Sequence, residues 1–233
     1  MLLENIGDIL YSMKYDKSNT PLLSLLSSGR HHKFPKGQVI QFENGRIILC
    51  VLNTGYVKRY IITNDGSKSI QSIYGPGDIF PLTPVFKELV NRNINRGQEI
   101  IYYEAMTPAI LHSIDRKALR DAVTETPEIY KDLLYVSGCR LSTHIHRLEN
   151  MSLKNAYHRV AHQLVYYAGK FGQKNKQGTI ILLPLTHQIL ADILNLARET
   201  VTNSMVKLHE KNLIIDNKNI IVTDVEKLRR VYQ

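Results

Sequence analysis

The hydrophobic period of this chain changes at Pro127, and that change limits what it can fold into. Before it, apolar residues come in short β-branched and aromatic runs: HHKF, QVIQF, IILCVL, YVKRYIIT and SIQSIY. Turn residues divide them at Pro35-Lys36-Gly37, Asn44-Gly45, Asn53-Thr54-Gly55, Asn64-Asp65-Gly66 and Gly75-Pro76-Gly77-Asp78. Such runs predict strands of a β-barrel or sandwich, and Asp65-Gly66 predicts a hairpin. After Pro127, Leu134, Gly138, Leu141, Ile145 and Leu148 recur at intervals of four and three. That is the a/d interval of a helix that packs along a seam. Gly138 would weaken an isolated helix but lets two backbones approach closely.

The flanks extend this α+β pattern. Residues 2–27 are weakly helical. Ser152 is expected to cap a helix running to Phe171 and stopped by Gly172. QKNKQG reads as a linker and TIILLPL as a strand. Two helices follow, over about 187–194 and 197–210, then a small hairpin, LIID-NK-NIIVT, and a last helix from about Asp224. Three parts are expected: a β domain over 1–125, a long helix over 126–151 and a second, mostly helical domain over 152–233.

Charge narrows the class of partner. The chain carries a formal net charge of +9. Residues 152–233 hold 12 Lys/Arg against 6 Asp/Glu, whereas residues 126–151 are balanced. The excess is concentrated in the C-terminal part, which suits a polyanion. No apolar run reaches membrane-spanning length, so no membrane association is expected. MLLENIGDILYSM carries Glu4 and Asp8 and has no basic start, so it does not read as a signal peptide. Cys50 and Cys139 are the two cysteines. Their wide spacing argues against a disulfide framework, a zinc site or an iron–sulfur cluster, and for a reducing cytoplasm.

The segment THQILADILNLARETVTNSMVKLHEKNLI, residues 186–214, carries the most chemistry. Thr186 suits an N-cap. Ile189, Leu190 and Ile193 form an apolar face, and Ala191 is small where a second helix must cross. Asn195 falls in the tight connection, where Asn tolerates a left-handed backbone. The second helix buries Val201, Met205 and Leu208 and offers Arg198, Glu199, Thr202 and Asn203 on its other face. A helix-turn-helix places such N-terminal residues in the major groove. Arg can donate two bonds to guanine, Glu can accept from cytosine and Asn can pair with adenine. Thr186, His187, Gln188 and Thr200 could donate to phosphates, and Lys218 at the hairpin tip could meet another. The competing reading is an ordinary amphipathic helical hairpin with a solvated polar face.

These motifs resemble the cyclic-AMP receptor protein/FNR family of bacterial transcription regulators across nearly the whole chain. The front half carries the likeness in FPKGQVI, VLNTGYVKRYIITNDGSKSIQSIYGPGDIF and EAMTPAILHSIDRKAL. The back half carries it in the helix-turn-helix segment and the closing IIVTDVEKL. The resemblance implies an N-terminal jelly-roll barrel of the cyclic-nucleotide-binding type, a long dimerisation helix and a C-terminal winged helix-turn-helix. Arg198 and Glu199 fall on the family's base-reading positions, and Asn203 stands where relatives often have Arg. A half-site related to TGTGA but altered at the position facing Asn203 is therefore implied. Ala197 stands where many members have a capping Ser.

The sensor departs from the family. Members that bind cyclic AMP hold its ribose with a Gly-Glu pair and its phosphate with an Arg-Ser pair. The corresponding residues here are Pro81-Leu82 and Glu99-Ile100. Leu cannot accept from a hydroxyl, and Glu repels a phosphate, so cyclic AMP is not expected in the usual mode. Arg92, Arg96, Tyr102 and Tyr103 are candidates for another nucleotide effector, a cyclic dinucleotide among them. Lys58 and Arg59 add nearby charge. A solvated loop with ordinary strand tyrosines, and a regulator without any small ligand, stay open.

Other chemistry is expected to be absent. His158 and His162 lie four apart on a helix, and His144 and His146 flank the seam. Neither a metal nor a haem is expected there, for want of a Cys or carboxylate at a fitting interval. Cys139 could answer to oxidants, though a structural thiol is the simpler reading. No P-loop, HExxH or GxSxG motif is present, so no enzyme is expected. The leading expectation is a homodimer on pseudo-palindromic double-stranded DNA, with RNA polymerase as a partner where it activates. The alternatives are a ligand-independent or redox-responsive regulator, and a nucleotide-responsive module whose winged helix binds protein.

Overall fold

The run IILCVL is apolar at every position because both faces of its strand are buried. In the computed structural model, which describes residues 20–42, 47–90 and 100–233, β2 is Leu49–Thr54. Its Leu49 and Val51 pack with Leu22, Leu26, Leu119 and Val123. Its Cys50 and Leu52 point the other way, into a cluster with Tyr74, Phe80 and Leu111. The alternation follows from the period of two along a strand.

Two antiparallel sheets enclose this second cluster. One has the order β1-β7-β2-β5, where β1 is Arg30–Phe34, β5 is Ile79–Phe80 and β7 is Ala109–Ile114. The other has the order β4-β3-β6, where β3 is Val57–Ile62, β4 is Lys68–Tyr74 and β6 is Tyr102–Ala105. This is the jelly-roll arrangement expected from the motifs. Asp65 shapes the β3–β4 turn by accepting from the hydroxyls of Thr63 and Ser67. The expected strand QVIQF reduces to one isolated bridge, Val39 to Glu104.

Three short helices pack at the barrel: α1 over Pro21–Ser27, α2 over Thr83–Val90 and α3 over Arg116–Glu125. Thr20 caps α1 and Asp115 caps α3 through their side-chain oxygens. The helix expected over 2–27 lies mostly outside the described residues. The long helix α4 covers Ile129–Ser152 and its 24 residues span about 36 Å. Asp132 in its first turn accepts from the Leu22 amide.

By contacts the chain forms two compact units, the second comprising Ile62–Gln71 and His144–Gln233. Within the second unit, α5 covers Ala156–Phe171, α6 His187–Leu194, α7 Arg198–Glu210 and α8 Val225–Arg229. Two sequence expectations need correction here. Ser152 ends α4, its hydroxyl bonded to Glu149 O, and the cap of α5 is Asn155, which accepts from the His158 amide. The linker QKNKQG is a hairpin: β8 over Gly172–Asn175 and β9 over Gly178–Ile181. Gly178 is required there, since its φ is +142° and an added Cβ would lie 2.2 Å from Val222 O. With β10 over Ile214–Asp216 and β11 over Ile220–Val222, these strands form a sheet in the order β10-β11-β9-β8.

Asn195 between α6 and α7 is left-handed, with φ 49° and ψ 54°. Its Oδ1 also accepts from the Ser69 hydroxyl at 2.8 Å. Ala at this position bears the left-handed backbone cost without that bond. Asn195→Ala should therefore lower unfolding stability by about 1–2 kcal/mol, and Asn195→Gly by clearly less. Denaturant melts of the two variants check this ordering.

Candidate nucleic-acid interface

The second unit's core sets the orientation of α7. Val201, Met205 and Leu208 are buried, as are Leu190, Ala191 and Leu194 of α6. Residues three and four apart share a helix face. Burying that stripe therefore turns Arg198, Glu199 and Asn203 to the opposite side, where all three are exposed. Among the described residues, none of these three side chains has a recorded hydrogen bond or ion pair. Asn203 also borders a cleft of about 560 Å³ with Asn155, Thr200 and Lys207.

The N-terminus of α7 opens on Ala197, which makes no side-chain cap bond. Its first amides lack the acceptor that Ser would have provided, and a helix N-terminus favours an anion. At α6, Thr186 caps by accepting from the Ile189 amide at 3.1 Å, and its own hydroxyl proton stays available to donate. Gln188 is exposed and donates to Asp192 at 2.7 Å. Thr200 is half-buried. Lys218 stands exposed in the turn between β10 and β11. Those strands pair from Ile214–Val222 to Asp216–Ile220, which gives the wing expected from LIID-NK-NIIVT.

Two residues occupy roles other than those read from sequence. His187 was expected to donate to phosphate, but both of its ring nitrogens are engaged within the unit. Nδ1 lies 2.9 Å from Thr202 Oγ1, and Nε2 lies 2.8 Å from Asp216 Oδ2. A carboxylate only accepts, so Nε2 donates to Asp216; Nδ1 pairs with the Thr202 hydroxyl, whose single proton goes either to Nδ1 or to Arg198 O. The imidazole thus ties α7 to the first wing strand. Thr202 is half-buried with its hydroxyl held by His187 and by Arg198 O at 3.0 Å. It can offer only its methyl group to a base.

Sequence reasoning missed Lys207 and Lys211. They continue the stripe of Thr200 and Asn203 along α7 at intervals of four and line the same cleft at the start of α5. Lys211 also lies 5.1 Å from the Tyr157 ring centroid. The interval alone could have found them. The outward reading of α7 is confined to its first turns, where base contacts are expected.

The effector candidates are placed unevenly. Arg92 and Arg96 lie outside the described residues, as does Glu99. Tyr103 stacks on Phe80 at 5.5 Å and meets Phe42 edge-on at 4.8 Å. Burial holds its hydroxyl well above the usual phenol range, and Arg59 hydrogen-bonds it. Tyr102 stacks on Tyr60 at 5.2 Å. Lys58 pairs with Glu104 at 2.8 Å. The two tyrosine rings are therefore used in packing, which corrects their expected availability as stacking platforms. At the turn after PGD, Pro81 is buried and Leu82 packs against the cluster of α1 and α3.

The seam residues of α4 divide cleanly. Leu134, Leu141 and Leu148 are 75%, 59% and 66% exposed, while Ile145 is half-buried. A Cβ added to Gly138 would meet nothing within 4 Å. The glycine therefore answers no need for close packing inside the subunit. Cys139 on the same helix is half-exposed, whereas Cys50 is buried, donates to Phe80 O and has its thiol pKa raised by burial.

Comparison with known proteins agrees with this geometry. Residues 158–231 match the Crp-like helix-turn-helix domain. The chain is 28% identical over 200 residues to a CRP-like cAMP-activated global transcriptional regulator of Mycobacterium tuberculosis, covering 84% of this chain and 85% of that protein. It is 25% identical over 189 residues to the global nitrogen regulator of Synechococcus elongatus, covering 79% and 84%. The fold is shared with FixK2 from Bradyrhizobium japonicum at a TM-score of 0.70 and 19% identity, covering 88% of this chain and 97% of that one. These sequence relatives are transcription regulators. No helix of the described residues is long and apolar enough to cross a membrane. With a jelly-roll barrel and a long helix ahead of a Crp-like helix-turn-helix domain at residues 158–231, the chain is similar to the Crp/Fnr regulators over most of its length.

Proposed function

We propose that the protein is a homodimeric, sequence-specific DNA-binding transcription regulator of pseudo-palindromic sites. The observation that carries this reading is the outward edge of α7, where Arg198 and Glu199 face solvent without partners beside an uncapped helix N-terminus. An unpaired Arg and Glu contribute little to stability on a surface, but at the floor of a major groove each finds a complementary base edge. Arg198, Glu199 and Asn203 read bases, with the Thr202 methyl beside them. Thr186, Gln188, Thr200 and Lys218 meet phosphates. His187 is reassigned from phosphate donor to brace, holding α7 and the wing at a fixed angle. Lys207 and Lys211 add to the phosphate-facing surface.

The exposed stripe Leu134, Leu141 and Leu148, with Gly138 and Ile145 between, forms the dimer seam. It divides residues 126–151 as a dimerisation helix from the sensor and the DNA-binding domain. Burying one leucine side chain is worth about 1.5–3 kcal/mol, so a symmetric seam of this composition supports stable pairing. Two copies then present recognition helices about 34 Å apart, one turn of duplex.

Cyclic AMP is not the effector in the usual mode, because the side chains of Pro81 and Leu82 offer no acceptor for a ribose hydroxyl. A nucleotide effector, cyclic dinucleotides included, would draw on Arg92 and Arg96. An effector acts by shifting the weights of dimer arrangements that fit or misfit the spacing of the duplex grooves. RNA polymerase is a further partner at promoters the protein activates.

Two measurements follow. Arg198→Ala should cost about 1–3 kcal/mol at one base pair, whereas Lys218→Ala should weaken all sequences alike and lower the salt slope by about one. Binding titrations on a selected site and its single-base variants, over a range of salt, check both; equal effects on every sequence from the two variants would remove the assigned roles. Leu141→Glu should turn the dimer into monomer in sedimentation, with loss of affinity for the full site and a melting temperature that is lower and no longer depends on protein concentration. A Leu141→Glu protein that stays dimeric would place the seam elsewhere.

A further inference from the structure

His146, Glu149 and His162 lie together where the end of α4 meets α5, each offering a ligand atom within 4.8 Å of the others. His146 and Glu149 are three apart on α4 and share a face. His162 comes from α5. The two imidazoles stack with centroids 4.2 Å apart and planes 6° from parallel. The Tyr166 ring covers the other side of His146 at 4.0 Å, and Tyr232 meets His162 edge-on at 4.8 Å.

Two features distinguish this cluster from a simple aromatic stack. The Nε2 atom of His146 is buried and has no hydrogen-bond partner. Buried polar atoms are nearly always satisfied, and an orphan calls for a ligand or water. In addition, both rings are held by buried amide side chains. Gln163, itself buried, hydrogen-bonds His146. Asn150, also buried, places its amide nitrogen 3.2 Å from His162 Nδ1 and is itself anchored on Arg159 O at 2.8 Å. The Asn150 amide donates to Nδ1 of His162, which sets the ring's proton on Nε2; a cation takes the Nδ1 lone pair by displacing that amide.

We propose that His146, Glu149 and His162 form a binding site for a divalent transition-metal ion of the zinc class. Two imidazoles and one carboxylate are a set that zinc accepts, with the fourth position left to water. Imidazole ligands favour zinc, nickel, copper or cobalt over magnesium and calcium, which seek oxygen. Tetrahedral zinc needs ligand atoms about 3.4 Å apart, from bonds of roughly 2.0–2.1 Å. The stacked rings do not aim their in-plane lone pairs at one point, so binding turns one imidazole out of the stack while the exposed Glu149 side chain swings to meet the ion. A bound ion joins the last turns of α4 to α5 across the connection 153–155.

The expectation of no metal rested on the lack of a carboxylate at a fitting interval. It paired His162 with His158 on one helix and overlooked Glu149, three residues after His146. His158 sits instead at the start of α5, 3.4 Å from the Asn155 amide.

Cobalt is the probe. Metal-stripped full-length protein is titrated with Co²⁺ and its visible d–d absorption followed, then challenged with Zn²⁺. One Co²⁺ per chain, displaced by Zn²⁺, is expected. His146→Gln and His162→Gln should each weaken binding by more than the roughly 10–100-fold that loss of an outer partner costs. Glu149→Gln, a change at an exposed position that leaves folding intact, should weaken it as well, while His158→Gln should not. Absence of Co²⁺ uptake, binding that survives both Glu149→Gln and His162→Gln, or binding abolished by His158→Gln would each overturn the site. DNA binding plays no part in the readout.

Discussion

The burial of one stripe of α7 is the constraint on which the interface depends. Val201, Met205 and Leu208 fit against α6 and α5 with almost no exposure. A helix has one angular register, so fixing those residues inward fixes Arg198, Glu199 and Asn203 outward. No separate interaction is needed to display them. The helix would tilt if α6 stood at another angle, and that angle is set by the left-handed Asn195 and by Ala191, which is small where the helices cross. Core packing and base reading are thus two faces of the same helical period.

Display is not the same as fixed geometry. Recognition of base edges rewards side chains held close to their productive positions before the duplex arrives. His187 contributes here. It bridges Thr202 on α7 and Asp216 on β10, so the recognition helix and the wing share one hydrogen-bonded post. The wing strand is further held by β11, and β11 by β9, in a four-stranded sheet. The residue that sequence reasoning assigns to phosphate is instead engaged between the helix and the wing.

The sequence disclosed what depends on local pattern. β2, β3 and β4 were legible because β-branched runs ended in Asn, Asp, Gly and Pro. The helices of residues 186–210 were legible because Thr186, Asn195 and the apolar spacing agreed on their bounds. Polar elements were not. β8 is exposed at all four positions, GQKN, and reads as a linker because an edge strand needs no apolar face. Ser152 and Asn155 are equally good caps by residue type; only the course of the chain decides between them. At the candidate sites, residue type revealed which groups could bind but not which were already engaged. Tyr102, Tyr103 and His187 have donors and rings suited to a ligand, yet each is used inside its own unit. The nearness of Glu149 to His162 was hidden for the converse reason, since the two are distant in sequence and meet only through the turn between α4 and α5.

Two recognition helices acting on one duplex face is the central physical claim, and helical phasing tests it most directly. Affinity can be measured for duplexes that carry the same two half-sites at a centre-to-centre spacing of one turn, and again after insertion of about five base pairs, half a turn. Tight binding in the first duplex, falling to that of a single half-site in the second, is the expected result. Equal affinity for both would contradict a rigid two-fold pair of reading helices.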